Sequence, residues 1–599
     1  MTLEIAMVFG ILGLALASFI WEKVPVEVTA ISVFALLPVL GLLQVEGALS
    51  VLSNPAPVTV GAMFIVSAGL EKCGAIDMIS GYFDRLAKAG YIPLLLIIIL
   101  FVAFLSAFVN NTPVVVIFMP VLLSLARKMD IPASKLLIPL SYASIFGGTC
   151  TLIGTSTNII ISGIAETYEQ PPLGMFELGM VGLPLLVLGS LYLLVFSWRR
   201  LPVRETLTQI LSPEERREFF TEALIHPHSP LVGKGVLDSG ILRTPGVRIL
   251  EILRGGRTMV DKLNEIVLEA GDRLVLACKP HGIAEARSIQ GVNFLGESGE
   301  GLEQIAASEG SIVEGFIGPS SSIAQKTVAE IDFRQRYRMI ILAMHRRGRN
   351  VRDKLATLPL EFGDTLLMMG TDQAIGDLRK SEDIILLDQP HVASKSRRDK
   401  IPIVVAVILG IVGTTTFTNF PIVASAIMGV AVLLGTRCIN SEEAFSAVGW
   451  NIIFLIYGML ALGLAMQETG ASTLLADNAV AAVSHLVSPE WQPYVMLAVM
   501  YLMCSFMTEV LSNNATAALL APVSISIAAT IGVDPRPFLI VTAIASSASF
   551  STPIGYQTNT FVYGVGGYRF SDFLKFGLPL NLTYFSGSIF LIPMIWPFN

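Results

Sequence analysis

Charged residues and cysteines are scarce in this 599-residue chain. Only 15% of its residues are Asp, Glu, Lys or Arg while 53% are apolar, a balance that excludes an ordinary water-soluble protein. The five cysteines are dispersed without a Cys-x-x-Cys pair, which argues against a disulfide framework or a zinc site. The sequence also lacks a nucleophile–base set and a phosphate loop. We therefore expect no enzyme, no organic cofactor and no nucleic-acid partner.

Long apolar runs occupy both ends of the chain. The clearest are Ile5–Ile20, Ile92–Val109, Val181–Phe196, Ile401–Val412, Ile452–Met466 and Val495–Met507. Several approach the ~20 residues that span a bilayer, and others are interrupted by Pro, Gly or Asn as discontinuous transporter helices are. The first run has no basic leader or small-residue cleavage site, so we interpret it as a retained helix. The pattern predicts a multi-pass α-helical protein embedded in the lipid bilayer.

Two Asn-Asn pairs stand inside these apolar regions. Asn110-Asn111 is followed by Gly154-Thr-Ser-Thr-Asn158, and Asn513-Asn514 is followed by Gly555-Tyr-Gln-Thr-Asn559. Carboxamides and hydroxyls are unfavourable in hydrocarbon, so such clusters normally line a site or a wet cavity. Two copies at matched places are typical of internally repeated transporters. The sequence therefore predicts a carrier for a small solute.

The two ends of the chain also match in register. Asn111 and Asn513 are 402 residues apart, as are Pro120 and Pro522, and Asn158 and Asn559 are 401 apart. A soluble block joins the halves on one side of the membrane, so an inverted duplication requires an odd number of crossings in each half. We predict two inverted repeats with hairpin or broken helices, the first over residues 1–200 and the second over residues 394–599.

The middle of the chain has the composition of a soluble α/β protein and contains its own repeat. Arg254–Leu263 recurs as Arg346–Leu355, and Glu269–Leu276 recurs as Glu361–Met368, both 92 residues later. Each copy has a β-rich segment, at Val247–Leu253 and at Arg338–Met344, and a second strand after Gly-Asp. We predict two small α/β domains, over residues 201–297 and 298–393.

These two units resemble C-terminal TrkA-type (RCK-C) domains. Ser229-Pro-Leu-Val-Gly-Lys234 matches the entry pattern of such domains closely, and Ser320–Gln325 matches it loosely. The resemblance implies modules that sense a small-molecule ligand or brace a homodimer, and the sequence leaves these two roles open. No Gly-x-Gly-x-x-Gly follows a strand, so NAD binding is not expected.

The membrane halves resemble the divalent anion/sodium symporter family, whose hallmark is a Ser-Asn-Thr sequence in each half. Here the copies are Asn110-Asn111-Thr112 and Ser512-Asn513-Asn514, each different at one residue. The later Gly-Thr-Pro-Pro-Asn motif of the family has lost both prolines in both copies. These changes weaken the transfer of the dicarboxylate preference more than the transfer of the fold.

The resemblance implies two sodium sites and one substrate site between them. The first sodium site would comprise Ser106, Asn110, Asn111 and Gly154, and the second Thr508, Ser512, Asn513 and Gly555. The substrate would face Asn111, Thr112, Thr155, Ser156, Asn513, Asn514, Tyr556 and Gln557. Hydroxyls, amides and freed carbonyls suit sodium, while amide donors and helix N-termini suit an anion.

No Lys, Arg or His lies in Ser106–Thr112 or Thr508–Thr516. An anion bound there would be balanced by co-bound cations, which favours sodium-coupled symport. Among divalent anions we favour sulfate over a dicarboxylate, because Thr155, Ser156, Tyr556 and Gln557 offer neutral donors to a compact anion.

Two alternatives stay open at this stage. Glu509, beside the second motif, is a candidate proton site in a proton-coupled or exchanging anion carrier, since its counterpart is Ala107. The chain could instead be a transporter-like sensor that reports anion occupancy to the soluble domains. Arg199, Arg200 and Arg204 before the block, and Arg397, Arg398 and Lys400 after it, favour a cytoplasmic block in a plasma-membrane protein.

Overall fold

The computed structural model defines most of both membrane halves and the strands of the soluble block. It describes residues 2–21, 24–74, 90–129, 131–204, 217–236, 239, 247–254, 257–259, 263, 266–278, 292–294, 309–318, 321–346, 349–351, 358–361, 363–378, 381, 383–387, 395–418, 420–485 and 487–598. Parts of Arg254–Leu263 and Arg346–Leu355, together with Ser320, lie outside these residues. The four domain boundaries stay predictions.

Nine helices form the described part of the first membrane half. They are α1 (Leu3–Trp21), α2 (Val26–Val39), α3 (Val45–Leu52), α4 (Pro55–Lys72), α5 (Tyr91–Ser106), α6 (Asn111–Lys128), α7 (Leu137–Gly148), α8 (Ser156–Thr167) and α9 (Gly179–Arg200). The described residues of the soluble block contribute three short helices, α10 (Val328–Ile331), α11 (Phe333–Tyr337) and α12 (Asp372–Leu378).

The described helices of the second membrane half follow the same order as those of the first. They are α13 (Ile401–Phe417), α14 (Ile422–Gly435), α15 (Ser441–Ala447), α16 (Trp450–Glu468), α17 (Ala471–Ser484), α18 (Gln492–Thr508), α19 (Asn513–Ile531), α20 (Arg536–Ser547), α21 (Gln557–Val565) and α22 (Phe570–Ile595). In chain order α1–α4 correspond to α13–α16, and α5–α9 correspond to α18–α22. The segment that would match α17 falls outside the described residues.

The two halves are inverted relative to each other. Their last helices pack together, and Tyr192 of α9 donates a hydrogen bond to the Phe576 carbonyl of α22 at 2.7 Å. Arg204, just past the end of α9, pairs with Asp572 at the start of α22 at 2.9 Å. The end of one helix therefore meets the start of its counterpart, so the two run in opposite directions, as predicted.

Seven described segments are long and apolar enough to cross a bilayer. They are Leu3–Ile20, Val45–Lys72, Gly179–Arg200, Arg397–Phe417, Trp450–Glu468, Asn513–Ile531 and Phe570–Ile595. Of the helices that flank the Asn motifs, α19 is among these seven, while the apolar stretches of α5, α6 and α18 are shorter. Residues 107–110 separate α5 from α6, and residues 149–155 separate α7 from α8. The second half repeats both interruptions.

The soluble block contains one ten-stranded sheet made of two five-stranded units. The first unit is β1 (Arg217–Ile225), β2 (Val247–Arg254), β3 (Arg257–Met259), β4 (Arg273–Cys278) and β5 (Val292–Phe294). The second is β6 (Glu309–Ile317), β7 (Met339–Arg346), β8 (Arg349–Val351), β9 (Thr365–Gly370) and β10 (Ile384–Leu386). Every strand of the second unit lies 92 residues after its counterpart, at both ends.

Antiparallel pairing of β1 with β6 joins the units into one sheet, with the order β3-β2-β4-β1-β6-β9-β7-β8. Strand β5 pairs with β1, and β10 pairs with β6. The sequence predicted two strands in each unit, and the described residues of each unit form five. The predicted segments Val247–Leu253 and Arg338–Met344 are part of β2 and β7.

A buried carboxylate is paired with an arginine at the same place in each unit. Arg254 binds Asp272 at 2.8 Å and also donates to the Val267 carbonyl at 2.6 Å. Ninety-two residues later, Arg346 binds Asp364 at 2.7 Å and donates to the Pro359 carbonyl at 2.6 Å. Ion pairing compensates the desolvation of these carboxylates, which fix the Gly-Asp turn before β4 and β9.

Candidate functional site

Four helices begin at one cluster of polar residues between the two membrane halves. The first residues of α6, α8, α19 and α21 are Asn111, Ser156, Asn513 and Gln557. A helix N-terminus exposes backbone N–H groups and carries partial positive charge, which favours an anion. The arrangement is built from both halves, as the sequence repeat predicted.

Hydrogen bonds join the first Asn motif to the later loop of the second half. The Asn111 amide donates to the Tyr556 hydroxyl, and Thr112 donates to the Gln557 side-chain carbonyl at 3.1 Å. The Thr155 and Tyr556 hydroxyls lie 3.5 Å apart. Asn111, Thr155 and Tyr556 are buried whereas Gln557 is exposed. The cluster thus extends from the protein interior to an accessible edge.

The reciprocal contacts join the second Asn motif to the later loop of the first half. Ser156 and Thr157 donate to the Asn514 side-chain carbonyl at 2.9 and 3.1 Å. Asn514 and Gln557 both accept through their carbonyl oxygens, and their amide N–H groups have no acceptor among the described residues.

Matching hydrogen bonds hold the two interrupted helices in shape. Asn158 donates to the Gly148 and Thr151 carbonyls at 3.1 and 2.8 Å. Asn559 donates to the Ser549 and Thr552 carbonyls at 2.8 and 3.2 Å. Each asparagine therefore satisfies carbonyls that the end of the preceding helix leaves without a helical partner.

A threonine in each loop attaches it to the neighbouring hairpin. The Thr151 hydroxyl donates to the Ala107 carbonyl, and the Thr552 hydroxyl donates to the Glu509 carbonyl at 3.1 Å. The same hydroxyls accept from the N–H groups of Gly154 and Gly555 at 3.0 and 3.1 Å. The hairpin tip and the broken helix are thereby one unit in each half.

Gly154 and Gly555 are required by close backbone approach. A Cβ at Gly154 would lie 2.7 Å from the Gly148 carbonyl oxygen, and one at Gly555 would lie 2.5 Å from the Thr508 carbonyl oxygen. Both separations are shorter than van der Waals contact, so a side chain at Gly154 would displace the loop from the end of α7, and one at Gly555 would displace the loop from the hairpin.

Two equivalent groups of oxygen atoms lie at the hairpin tips. The Ser106 hydroxyl donates to the Asn111 side-chain oxygen in the first half. In the second half the Thr508 hydroxyl lies 2.8 Å from the Asn513 side-chain oxygen and 2.6 Å from the Ser546 carbonyl. These residues belong to the predicted sodium sites, and the structure brings each pair together.

Asn110 and Ser512, also predicted as sodium-site residues, are oriented differently. Asn110 lines a cavity of about 20 Å³ beside Phe64 and Ser67 of α4, and Ser156 closes its other side. Ser512 caps α19, because its hydroxyl accepts from the Ala515 N–H at 3.3 Å. Asn110 thus lines a neighbouring cavity and Ser512 caps a helix, whereas Asn111 and Asn513 belong to the oxygen groups.

Glu509 accepts four hydrogen bonds from the loop that follows α20 and from α22. The N–H groups of Ser551 and Thr552 each donate to it at 2.8 Å, as does the Asn581 amide. The Ser549 hydroxyl lies 3.2 Å away. Every one of these contacts suits an ionised carboxylate, which is an acceptor only. Glu509 holds the loop of the second half to its hairpin.

Several contacting residues carried no distinctive signal in the sequence. Ser141 of α7 lies 2.8 Å from the Thr558 hydroxyl and 2.7 Å from the Asn559 side-chain oxygen, so it joins α7 to α21. At the same 401-residue spacing its counterpart in α20 is Thr542, whose hydroxyl donates to the Phe538 carbonyl of its own helix at 2.8 Å, so repetition did not indicate a contact between the halves. Thr151 and Thr552 do recur 401 residues apart, and this spacing could have identified them.

The second soluble unit contacts the last turns of α21, the helix that begins at Gln557. The rings of Phe316 and Phe561 lie 5.3 Å apart with their planes at 69°. A Cβ at Gly564 would lie 2.5 Å from the carbonyl oxygen of Gly363, whose φ is +83°. The corresponding Gly271 of the first unit has no atom near its Cβ position within 4 Å. Only one of the two turns is therefore packed against the helix.

The inverted halves, the paired hairpins and the shared polar cluster define a multi-pass membrane transporter. The family model for "Citrate transporter" (CitMHS) matches residues 16–545. The chain belongs to this family of the ion transporter superfamily, and the predicted relationship to divalent anion/sodium symporters is confirmed. The chain is therefore a carrier and not an enzyme.

Relatives of similar length carry transport or sulfur-related names. The chain is 33% identical to an uncharacterized transporter of Synechocystis over 99% of its own length and 97% of the relative. It is 29% identical to a putative sulfur deprivation response regulator of Chlamydomonas reinhardtii over 94% and 96%. It is 23% identical to sodium/sulfate cotransporter 2 of the same alga over 88% and 82%.

Proposed function

We propose that this chain is a secondary active transporter that couples sodium to the uptake of a divalent anion, with sulfate favoured over a dicarboxylate. The observation that carries the proposal is the four-helix cluster, which offers free amide donors from Asn514 and Gln557 and no cationic side chain. A divalent anion in such a site needs positive charge from outside the protein. Sodium ions bound at the two hairpin tips would supply it.

The oxygen groups at the hairpin tips fit sodium by their chemistry. Hydroxyl, carboxamide and backbone carbonyl oxygens at Ser106 and Asn111, and at Thr508 and Asn513, are neutral ligands that suit a monovalent hard cation. Glu509 adds a negative charge next to the second group. Asn111 and Asn513 would serve both the ion and the anion, so that binding of one strengthens binding of the other.

Sulfate is favoured because the donors are short, neutral and close together. Hydrogen bonds of 2.9 to 3.1 Å already link opposite sides of the cluster through Ser156, Thr112 and Asn514. A compact tetrahedral anion can replace these contacts with its own oxygens. A tricarboxylate would require a wider separation of the halves. The name of the algal sodium/sulfate cotransporter agrees with this choice.

Uptake into proteoliposomes tests the proposal. Labelled sulfate, succinate and citrate are compared with and without an inward sodium gradient. We expect sulfate uptake that rises steeply with sodium, with more than one ion per anion, because two oxygen-rich groups are present. Equal rates with and without sodium, or transport of citrate alone, would contradict the proposal.

A proton-coupled or exchanging carrier is the alternative, and Glu509→Gln separates the two. As a loop anchor, Glu509 should tolerate glutamine poorly, because the amide would oppose the Ser551 or Thr552 N–H groups. We then expect slower uptake that keeps its sodium dependence and its pH profile. Uptake that is driven by a proton gradient, indifferent to sodium and lost in this variant would establish the alternative.

The orientation in the cell is part of the same proposal. Arg204 and Arg397 flank the soluble block, and positive flanks of this kind favour the cytoplasmic side of the plasma membrane. The homodimer and a small-molecule ligand of the RCK-C-like units stay predictions. A cysteine-accessibility assay on right-side-out vesicles, with a single cysteine in the block, would test the orientation.

A regulatory or sensing role is the second candidate, favoured by the contact of the second soluble unit with α21. The unit touches Phe561 and Gly564, while Gln557 and Thr558 at the other end of this nine-residue helix take part in the polar cluster. A displacement of either end therefore moves the other. The sulfur-response name of one relative agrees with such a role.

A further inference from the structure

A basic cleft opens where α14 ends and where α13 and α15 begin. Its volume is about 480 Å³, and its lining includes Arg397, Lys400 and Arg437 together with the polar residues Asn440 and Ser441. Among the described residues that line it, none is acidic. The cleft lies at the end of the soluble block, on the side of the molecule that the flanking arginines assign to the cytoplasm.

Two of the three cations in the lining keep their charge available. The positive charge of Arg397 is compensated by an ion pair with Glu443 at 2.7 Å. The Lys400 ammonium donates only to the neutral carbonyls of Thr436 and Arg437, at 3.0 and 2.8 Å. The Arg437 guanidinium is exposed and has no hydrogen-bond or ion-pair partner among the described residues. The nearby Asp399 and Glu442 are exposed to solvent.

The backbone at Arg437 shows that the turn itself does not call for arginine. Its φ is +57°, in the left-handed region that disfavours L residues. The first membrane half makes the same turn with Gly41, whose φ is +69°. The hydrogen bond that closes the turn is also the same. The Leu42 N–H donates to the Leu37 carbonyl, and the Cys438 N–H donates to the Leu433 carbonyl, both at 2.9 Å. Glycine is the residue that this helix ending favours.

A side chain retained against its backbone preference, at the mouth of a basic cleft, indicates a ligand with negative charge. The helices next to the cleft indicate where this negatively charged ligand comes from. α13 and α14 expose apolar side chains on their outer faces, including Val405 and Val432 close to the cleft and Leu409 and Met428 deeper in the bilayer. Acyl chains can lie along these faces while a headgroup occupies the cleft.

We propose that the cleft binds the phosphate group of an anionic phospholipid in the cytoplasmic leaflet. Lys400 and Arg437 would contact the phosphate oxygens, and Asn440 and Ser441 would contact the remainder of the headgroup. The bound lipid would join the end of the soluble block to α13 and α14. This site is separate from the polar cluster between the halves, and it does not depend on the transported anion.

Arg437→Gly tests the site without disturbing the fold, because glycine is the residue that the matching turn already uses. Native mass spectrometry of the full-length protein measures retention of phosphatidylglycerol and of phosphatidylcholine. We expect wild-type protein to retain phosphatidylglycerol preferentially, and Arg437→Gly to bind it about fivefold more weakly. Arg398→Gln, which removes an exposed charge outside the cleft lining, should bind it as the wild type does.

Three outcomes would overturn the proposal. One is equal retention of the neutral and the anionic lipid by the wild-type protein. Another is an equal loss in Arg437→Gly and Arg398→Gln, since that would reflect general surface charge. The third is competition by inorganic phosphate or glycerol 3-phosphate at the same concentration as the lipid, because the ligand would then be a soluble phosphate.

Discussion

Among single side chains, Asn111 and Asn513 connect the most parts of the site. Each begins a helix, and each accepts from a hydroxyl at the end of the preceding one, Ser106 or Thr508. Both carboxamides are buried, so few other groups are available to them as hydrogen-bond partners. A residue in this position orders the hairpin tip, and in the proposed sodium site its oxygen would also bind the ion.

We predict that Asn111→Ala and Asn513→Ala each reduce uptake at least about tenfold while the protein stays folded. Loss of one buried hydrogen-bonding side chain has an effect of about 1–3 kcal/mol, too little to unfold a large membrane protein but enough to empty a ligand site. Labelled-anion uptake measures the rate, and size-exclusion chromatography of the purified protein measures folding.

Asn478→Ala is the matched control. Asn478 is exposed on α17 and donates only to the Leu474 carbonyl one turn away at 2.8 Å. Its removal should leave uptake unchanged. If a well-folded Asn111→Ala or Asn513→Ala protein transported at the parental rate, neither asparagine would belong to the site.

The sequence predicted the side chains that recur as a distinctive motif. Asn111 and Asn513 stand out because the same residue recurs in apolar surroundings at a fixed spacing. Ser141 binds across the halves, whereas its counterpart Thr542 bonds within its own helix, so only the packed structure reveals the contact. Glu509 was recognised as unusual, yet its four donors come from residues 40 to 72 positions later in the chain.

At the level of helices and strands, repetition again determined what could be predicted. The order of the broken helices followed from two copies of one motif. In the soluble block, β3 and β8 have only three residues, too few for an alternating pattern to be recognised. The sequence predicted a basic Gly-containing turn at these places, and the structure adds a three-residue strand after the turn in each unit.

Helix α21 allows a test of communication between the soluble block and the site. We predict that Gly564→Ala changes the rate of uptake or its sodium dependence, because the new methyl group would lie 2.5 Å from the Gly363 carbonyl oxygen. The second unit must then move away from α21, or the helix must shift toward Thr112 and Ser141. Uptake at graded sodium concentrations measures the effect.

Gly376→Ala in α12 of the same unit is the control, since no atom lies within 4 Å of its Cβ position. It should behave as the wild type does, or be slightly more stable because alanine favours a helix. Identical transport by both variants under all conditions would mean that the contact with α21 transmits nothing to the site.

Considered as a whole, the molecule holds the soluble block at both ends and at one point between them. Arg204 binds Asp572 of α22 at the entry, and Arg397 binds Glu443 of α15 at the exit. Between these ends, Phe316 packs against Phe561. A block fastened to separate helices of the membrane part can restrain their relative movement, and transport requires such movement.

Replacing Leu211–Gln389 with a flexible linker tests this role. Every predicted site residue lies outside the deleted segment, and the Arg204–Asp572 and Arg397–Glu443 pairs are retained, so we expect a folded dimer with residual transport and altered regulation. Uptake, anion binding and dimerisation are measured on the purified protein, with Phe561→Ser added to remove the apolar surface that the deletion exposes. A shortened protein that folds and binds its anion but never transports would make the block part of the moving machinery. If the rate and the sodium response were unchanged under every condition, the block would serve only as a structural brace. Both restraint and regulation require that removal of the block change transport.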